Sequence, residues 1–301
     1  MNCIETIELT HKFARDEMAL DRVNLQVPES SIYGFLGPNG AGKTTMLKLV
    51  LGLLRRQQGS ITILGRSLDQ HRVAILRRVG SLIESPSLYD HLTAHENLNL
   101  LQKIYQCPPA RINEVLELVG LPHTGRKKAG KFSLGMKQRL SIAMALLHDP
   151  ELLILDEPSN GLDPNGMLEL RELLATLNQT RGTTIVISSH LLSEVERLVT
   201  HIGIIDRGVL VFQGPLAELV EKQQRSSYVS LETGDDLRAS KLLADRGLKV
   251  TPSATGLSLP LLSPTEIAAL NRRLVESDIE VFQIRTVKSD LETIFFEMIS
   301  H

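Results

Sequence analysis

The chain has 301 residues, enough for one large domain and a smaller one, and its 42% hydrophobic and 23% charged residues are typical of a globular protein. Its 33 basic and 35 acidic residues leave a net charge of −2, which argues against a general nucleic-acid binder. The sequence predicts neither a membrane span nor a secretory signal, because it has no run of about 18 apolar residues and no basic start followed by an apolar block. Cys3 and Cys107 have no metal or disulfide spacing, so we expect a reducing, cytosolic compartment.

The first 36 residues read as strands. Residues 4–9 and 23–27 roughly alternate apolar and polar side chains, and residues 31–36 form an apolar run. Phe13 lies between the first two segments, and by itself it is interpreted as a half-buried aromatic residue at a strand end. A further short strand is predicted at residues 61–64, where Gly65 ends it.

A glycine-rich turn follows the third strand and fits the pattern G-x-x-x-x-G-K-[ST]. A predicted helix begins after it and ends at Gly52. Glycines allow successive N–H groups to point at an anion, and the helix adds the positive end of its dipole. We therefore predict a nucleotide-phosphate site, although the pattern alone is shared by kinases, GTPases, motors and transporters, and a turn that holds nothing is the alternative. The predicted phosphate loop consists of Gly37, Pro38, Asn39, Gly40, Ala41, Gly42, Lys43, Thr44 and Thr45.

Lys43 is predicted to reach the β- and γ-phosphates, and Thr44 to offer its hydroxyl group to Mg²⁺.

The section that follows contains a strand from residue 79 to Glu84 and then helices at 98–105 and 112–119. Thr93 and Glu96 form a capping box at the start of this helix-rich section, which predicts a helical insertion in an α/β domain.

Two carboxylates follow a strand of aliphatic residues. Residues 152–155 do not alternate, which indicates a strand buried on both faces, as in a parallel sheet. Asp156 and Glu157 stand at its carboxyl end, where open α/β sheets bind ligands. We predict that Asp156 holds the Mg²⁺ shell and that Glu157 polarises an attacking water, while two solvated acids in a loop are the alternative.

Three further positions are ordinary when taken alone. Ser133 reads as a helix N-cap with Gly135 two residues later, and Asp163 reads as the N-cap of the helix that Pro164 begins. His190 follows a β-branched strand at 183–187, where a surface or cap histidine is the usual interpretation. A hairpin is predicted at residues 202–212.

The last part of the chain predicts a second domain. Strands at 228–231, 248–251, 257–261 and 279–287 alternate with helices at 236–246 and 264–276, and this is the order of a split βαβ, ferredoxin-like module. A final apolar helix contains Phe295 and Phe296. We predict a nucleotide-binding domain at residues 1–222, with a helical insertion at about 92–148, and an α+β accessory domain at 223–301, whose role is either structural or in dimerisation and regulation.

Five motifs stand in one order: GPNGAGKTT, the strand ending at Glu84, FSLGMKQ, LLILDEP with NGLD, and SSH. Together they resemble the nucleotide-binding subunit of ATP-binding cassette (ABC) transporters over residues 4–221. The resemblance implies the P-loop NTPase cassette fold, an α/β fold with a mixed sheet core, an antiparallel β subdomain and a helical insertion. It also implies ATP hydrolysis with ATP and Mg²⁺ as ligands.

The resemblance implies roles for residues of one ATP site. Phe13 matches the aromatic residue that stacks on adenine, which revises its first interpretation, and the phosphate loop matches over residues 37–45. Asp156 matches the metal-binding acid, Glu157 the catalytic base, and His190 the switch histidine that contacts the γ-phosphate. Catalytic roles are thus expected at Lys43, Glu157 and His190, and metal binding at Thr44, Asp156 and Glu84.

Other positions match residues that act across a dimer. Ser133 and Gly135 match the signature that covers the γ-phosphate of an ATP bound to a partner, and Asp163 matches the loop that signals between the two sites. This implies a head-to-tail dimer of two nucleotide-binding subunits, expected to be identical chains, that acts on a separate membrane permease. The loop at 85–90 is expected to meet that permease, which would hold the chain on the inner face of the cell membrane.

Two positions depart from the usual pattern of the family. Glu84 stands where glutamine is usual, and a carboxylate there would attract the metal but repel the nucleotide. Leu134 stands where glycine is usual in the signature. The variant resembles exporters of the bacitracin-resistance and lantibiotic self-protection type, which implies export of a peptide antibiotic or a similar amphipathic compound. The alternatives are a soluble ABC-type ATPase of a ribosomal or nucleic-acid process, and a P-loop GTPase or kinase, whose guanine-reading tetrad is missing from the sequence.

Overall fold

The computed structural model describes residues 1–13, 17–84, 87–253, 256–287 and 290–299, without the side chains of residues 224–226. Its chain divides into two compact units, one of Met1–Leu216 with Met298 and Ile299, and one of Ala217–Glu297. None of the helices in these described ranges combines the length and the apolar character needed to cross a bilayer.

The first unit contains eleven strands and seven α-helices within the described residues, together with a 3₁₀ turn at Ala129–Lys131. The strands are β1 (Asn2–Lys12), β2 (Met18–Val23), β3 (Gln26–Pro28), β4 (Ile32–Leu36), β5 (Gln58–Ile63), β6 (Arg66–Ser67), β7 (Val79–Leu82), β8 (Leu152–Asp156), β9 (Thr184–Ser189), β10 (His201–Asp206) and β11 (Val209–Pro215). The helices are α1 (Lys43–Val50), α2 (Leu68–Leu76), α3 (Ala94–Tyr105), α4 (Ala110–Leu118), α5 (Leu134–Leu146), α6 (Pro164–Arg181) and α7 (Leu192–Val195).

An antiparallel sheet is built around β1, which pairs with β2, β3 and β5. The prediction of one strand at residues 23–27 is wrong, because β2 ends at Val23 and β3 begins at Gln26. Between them the Asn24 side chain accepts a hydrogen bond from the Glu8 N–H at 2.8 Å, so a side chain replaces the strand ladder at this point. The helix α2 was not predicted, and its signal is the pair Leu68 and Ile75, which are buried two turns apart.

A mixed sheet in the order β11-β10-β4-β9-β8-β7 forms the centre of the first unit. The strands from β10 to β7 are parallel, and β11 returns antiparallel to β10. Every residue of β4, β8 and β9 is buried, and for β8 this confirms the prediction made from the aliphatic run at residues 152–155. Parallel pairing brings the carboxyl ends of these strands to one edge, and the chain leaves that edge at the glycine turn, at Asp156 and at His190.

The helical section packs as α3, α4 and α5, with α5 also against β7. The predicted capping box is present at the start of α3, where Thr93 and Glu96 exchange hydrogen bonds. Helix α5 buries the polar residues Gln138 and Ser141 together with its aliphatic residues. Neighbouring elements pack against α5 on several sides, so polar residues of this helix do not mark a solvent-exposed face.

The second unit has the strand order β13-β14-β12-β15, all antiparallel, and this is the ordering of a split βαβ module. Its elements are α8 (Leu216–Ser226), β12 (Tyr228–Thr233), α9 (Asp236–Ala244), β13 (Thr251–Ser253), β14 (Gly256–Pro260), α10 (Pro264–Glu276), β15 (Val281–Val287) and α11 (Leu291–Ile299). The strand predicted at 248–251 begins only at Thr251, because Leu248 donates back to the Leu243 carbonyl and completes the end of α9.

Candidate nucleotide site

The glycine turn between β4 and α1 depends on the absence of two side chains. Gly42 has a φ of 107°, and a Cβ atom at this position would lie 2.5 Å from the Ala19 carbonyl oxygen. A Cβ atom on Gly37 would lie 2.3 Å from the Ile205 carbonyl oxygen. The turn therefore fits against its neighbouring strands only with glycine at both positions, and it leads directly into the amino end of α1.

Lys43 is the buried cation of the site, with 5% of its side chain exposed. Its Nζ donates to the carbonyl oxygens of Gly37 at 2.7 Å and Pro38 at 3.2 Å, and lies 3.4 Å from Glu157 Oε1. An ammonium group has three donors. The lysine is thus held over the glycine turn by the backbone of that turn and by the carboxylate that follows β8.

Thr44 and Asp156 meet across the site. The Thr44 hydroxyl donates to Asp156 Oδ2 at 2.9 Å, and Asp156 Oδ1 accepts from the Ser188 hydroxyl at 2.5 Å. Ser188 Oγ in turn accepts from the Glu157 N–H at 2.8 Å. Asp156 is 5% exposed and Ser188 is fully buried, so β9 holds the end of β8 through one serine.

Glu157 and His190 form a second pair. His190 Nδ1 lies 2.7 Å from Glu157 Oε2, while the other carboxylate oxygen of Glu157 faces Lys43. Glu157 has a φ of 48°, in the left-handed region that is costly for a residue with a Cβ atom. This backbone strain, at the carboxyl end of a buried strand, turns the carboxylate back toward the glycine turn.

A cleft of about 510 Å³ opens beside these groups. Phe13 lies at its rim with 56% of its surface exposed, and its ring meets His11 edge-on with the ring centroids 5.0 Å apart. The cleft is lined by Phe13, Glu17, Met18, Ala19, Asn39, Gly40, Gly42, Lys43, Thr44, Thr45, Glu157, Asn160 and His190. The structure thus brings Phe13, the glycine turn, Glu157 and His190 to one opening.

Glu84 lies elsewhere. The strand predicted to end there stops at Leu82, since Glu84 itself has a φ of 62°. Its Oε1 lies 2.5 Å from Lys48 Nζ on α1, and 64% of its side chain is exposed. Among the described residues it does not line the cleft. Of the loop expected to meet a permease, Ser85 and Pro86 lie outside the described residues.

Ser133, Gly135 and Asp163 form a separate surface. Ser133 accepts from the Met136 N–H at 3.3 Å and Asp163 accepts from the Gly166 N–H at 2.8 Å, so both are N-caps, of α5 and α6. A Cβ atom on Gly135 would lie 3.6 Å from Leu162 Cδ2, so the two loops are neighbours. In the described chain this surface is not part of the lining of the cleft.

Several residues that contribute to the site were not predicted from the sequence. The sequence indicates for Ser188 only a place at the end of a strand, although a polar residue that follows the aliphatic residues Ile185–Ile187 is a usable signal. Asn160 lines the cleft. Ser159 and Ser189 both donate to the carboxylate of Glu194, at 2.7 and 2.9 Å, and no sequence pattern pointed to that residue.

Known proteins resemble this chain along almost its whole length. Residues 20–160 match the sequence model of the ABC transporter family. The bacitracin transport ATP-binding protein BcrA of Bacillus licheniformis is 43% identical over 98% of this chain and 97% of its own. The lantibiotic transport ATP-binding protein SrtF of Streptococcus pyogenes is 44% identical over 64% of this chain and 83% of its own.

Solved structures agree with the fold. A dimeric ATP-binding cassette in a post-hydrolysis state, bound to ADP and Pi, has a TM-score of 0.64 and 28% identity, and the match covers 71% of this chain and 98% of that one. The alternative of an ATPase of a ribosomal or nucleic-acid process gains no support from these matches.

Proposed function

This chain belongs to the ATP-binding proteins of ABC transporters, and on that premise we propose that it dimerises on ATP and powers a separate membrane permease that exports a peptide antibiotic or a similar amphipathic compound. As a member of this family it binds and hydrolyses ATP. The observation that supports the catalytic assignment is the convergence of Lys43, Glu157 and His190 at the carboxyl edge of the parallel sheet.

ATP binding follows from the cleft. The adenine would stack on Phe13, whose ring is more than half exposed at the rim of the cleft. The phosphates would lie along the glycine turn at the start of α1, where N–H groups and the helix dipole favour negative charge. Lys43 would exchange its partners for phosphate oxygens, which are charged and therefore stronger acceptors than the carbonyl oxygens of Gly37 and Pro38.

The donors near Lys43 suit Mg²⁺. Thr44 and Asp156 already lie within hydrogen-bonding distance of each other and supply a hydroxyl and a carboxylate oxygen, which are hard ligands of the kind that Mg²⁺ prefers. When bound, Mg²⁺ would neutralise charge on the β- and γ-phosphates. Glu84 would join this set only after release from Lys48, which we include in the proposal as a conditional metal contact.

Glu157 and His190 would act on the water and the γ-phosphate. Glu157 has one carboxylate oxygen toward Lys43 and the other on His190, so it lies beside the predicted phosphate position and can accept a proton from an attacking water. Once phosphate binds Lys43, Glu157 loses that cation as a partner and becomes a freer acceptor. His190 would donate to the γ-phosphate and hold Glu157 in orientation.

Ser133, Gly135 and Asp163 support the dimer. In the described chain they lie on a surface apart from the cleft lining, so a second copy placed head-to-tail would bring them to the γ-phosphate of the first copy's ATP. A dimeric cassette with ADP and Pi is among the similar structures. We include identical partner chains in the proposal.

The cargo and location come from the relatives. Since a bacitracin transport ATP-binding protein matches 98% of this chain, the same cargo class is proposed here, together with a permease on another chain and a position on the cytoplasmic face of the membrane. No nucleic-acid partner is proposed.

The test substitutes the base. Glu157→Gln retains an oxygen acceptor for His190 but loses the proton acceptor, so turnover should fall by at least 100-fold while ATP binding stays within about twofold of wild type. The variant should also elute as a dimer with ATP. Glu169→Gln, at an exposed site on α6, is the matched control. Wild-type turnover in Glu157→Gln would refute the catalytic assignment.

A further inference from the structure

Glu194 lies outside the lining of the cleft and accepts hydrogen bonds from two serines next to it. It lies on the short helix α7, just after His190, and one of its oxygens, Oε2, accepts hydrogen bonds from two serines. Ser159 Oγ donates at 2.7 Å and Ser189 Oγ donates at 2.9 Å. Hydrogen bonds to a charged acceptor contribute more to stability than neutral ones, so the two serines are strongly linked through this oxygen.

The two serines belong to different segments of the site, the end of β9 and the turn that follows Glu157. Ser189 is fully buried at the end of β9 and directly precedes His190. Ser159 lies in the turn that joins Glu157 to Asp163, and successive backbone bonds carry that turn, from Asn160 N–H to the Glu157 carbonyl and from Leu162 N–H to the Ser159 carbonyl. The carboxylate of Glu194 therefore joins the histidine strand to the loop that would face a second copy.

Glu194 is itself fixed. Arg171 on α6 donates through Nε to the Glu194 carbonyl oxygen at 2.9 Å and through Nη2 to the Ser193 carbonyl oxygen at 3.3 Å. Because two guanidinium donors hold the backbone of α7, the side chain of Glu194 leaves from an anchored point. A movement of the loop at Ser159 thus acts on Ser189 through a rigid link and not through a mobile side chain.

We infer that Glu194 is a positioning residue for ATP hydrolysis, which keeps the Glu157–His190 pair aligned and couples that pair to the loop at Ser159–Asp163. The inference rests on the proposed function and extends it to a residue that touches neither nucleotide nor water. Loss of the carboxylate would remove the acceptor that Ser159 and Ser189 share, leave Ser189 with only the Leu191 carbonyl oxygen at 3.1 Å, and let the loop and the histidine strand move independently. ATP affinity should change little, because no hydrogen bond of the described chain joins the glycine turn to Glu194, and Ser189 meets the turn through its backbone carbonyl, which accepts from the Gly37 N–H at 3.4 Å.

The experiment compares Glu194→Ala, Glu194→Gln and Glu196→Ala in the full chain. Gln at 194 keeps an oxygen acceptor for both serines, whereas Ala removes it. Glu196 is two residues along the same segment, and no ion pair or side-chain hydrogen bond involves it within the described residues, so Glu196→Ala is the matched control. The measurements are the dissociation constant of a fluorescent ATP analogue, and kcat, KM and the Hill coefficient for ATP hydrolysis.

For Glu194→Ala we expect kcat to fall at least tenfold and the Hill coefficient to fall toward one, while nucleotide affinity changes less than twofold. Glu194→Gln should keep at least a third of the wild-type kcat, and Glu196→Ala should match wild type. Ser159→Ala removes one donor without altering Glu194, so it should lower kcat in the same direction even if Glu194→Ala fails to fold.

Wild-type kcat and Hill coefficient in either Glu194→Ala or Ser159→Ala would overturn the inference, and so would equal losses in Glu194→Ala and Glu194→Gln with an unchanged melting temperature. The proposed function is judged separately by the wild-type chain and Glu157→Gln. If the wild-type chain hydrolyses ATP and Glu157→Gln does not, a negative result at Glu194 refutes only the positioning role.

Discussion

Ser188→Ala tests how β9 supports the end of β8. Ser188 is fully buried, donates to Asp156 Oδ1 at 2.5 Å and accepts from the Glu157 N–H at 2.8 Å. Alanine fits the same space but leaves a carboxylate oxygen and a backbone N–H without their partner. The substitution therefore isolates two hydrogen bonds with almost no change in packing.

The magnitude follows from the two bonds. A hydrogen bond to a charged group contributes about 1.5–3 kcal/mol, and a neutral one about 0.5–1.5 kcal/mol, so we expect the free energy of unfolding to fall by about 2–4 kcal/mol. For a unit of this size, each kcal/mol lowers the melting temperature by about 2–4 °C, which predicts a decrease of about 4–16 °C.

Differential scanning calorimetry of the full chain measures this decrease. Two compact units can unfold in separate transitions, so the relevant one is the transition that ATP raises, because only the unit that binds ATP is stabilised by it. Ser60→Ala is the control, since Ser60 is an exposed strand serine and its substitution should shift the same transition by less than about 2 °C. A decrease below about 2 °C in Ser188→Ala would refute the role given to the two bonds.

Three further predictions concern charge. Lys48→Met removes the cation that Glu84 contacts, and two unit charges at about 4 Å interact by about 1 kcal/mol in water. The Mg²⁺ concentration for half-maximal ATPase activity should therefore fall about fivefold in Lys48→Met and rise in Glu84→Gln. Unchanged Mg²⁺ titrations in both variants would remove Glu84 from the metal site. Burial lowers the pKa of His148 from 6.5, so the folded chain binds fewer protons than the unfolded chain and loses stability as the pH falls below about 6.5. The melting temperature should therefore fall less between about pH 7 and 5.5 in His148→Gln than in wild type. Parallel curves of melting temperature against pH for the two proteins would contradict this. Burial raises the pKa of the Cys3 thiol to about 11, so Ellman's reagent at about pH 8 should modify Cys107 in the folded chain and Cys3 only in urea. Equal modification rates for both thiols in the folded chain would refute the burial of Cys3.

Local patterns in the sequence were sufficient for the elements that carry the site. The glycine turn, the aliphatic run before Asp156 and the β-branched run before His190 each predict a strand end, and parallel pairing then places all three at one edge. The capping box at Thr93 was predicted for the same reason, because its hydrogen bonds join residues three positions apart.

The sequence failed where a contact joins distant segments. Nothing near Glu84 in the chain indicates Lys48, 36 residues away, and nothing near Glu194 indicates Ser159. The division between β2 and β3 likewise depends on the hydrogen bond that the Asn24 side chain accepts from the N–H of Glu8, which belongs to another strand. Each of these features is set by a partner that only chain folding brings near.

By itself, therefore, the sequence determined which side chains stand at the ends of buried strands and at the starts of helices, because these depend on hydrogen bonding and burial within a few residues. Tertiary structure decided which of those side chains face one another. Lys43 reaching Glu157, Glu157 reaching His190 and Ser188 supporting Asp156 all result from the order of β4, β9 and β8 in the sheet, which no local pattern encodes.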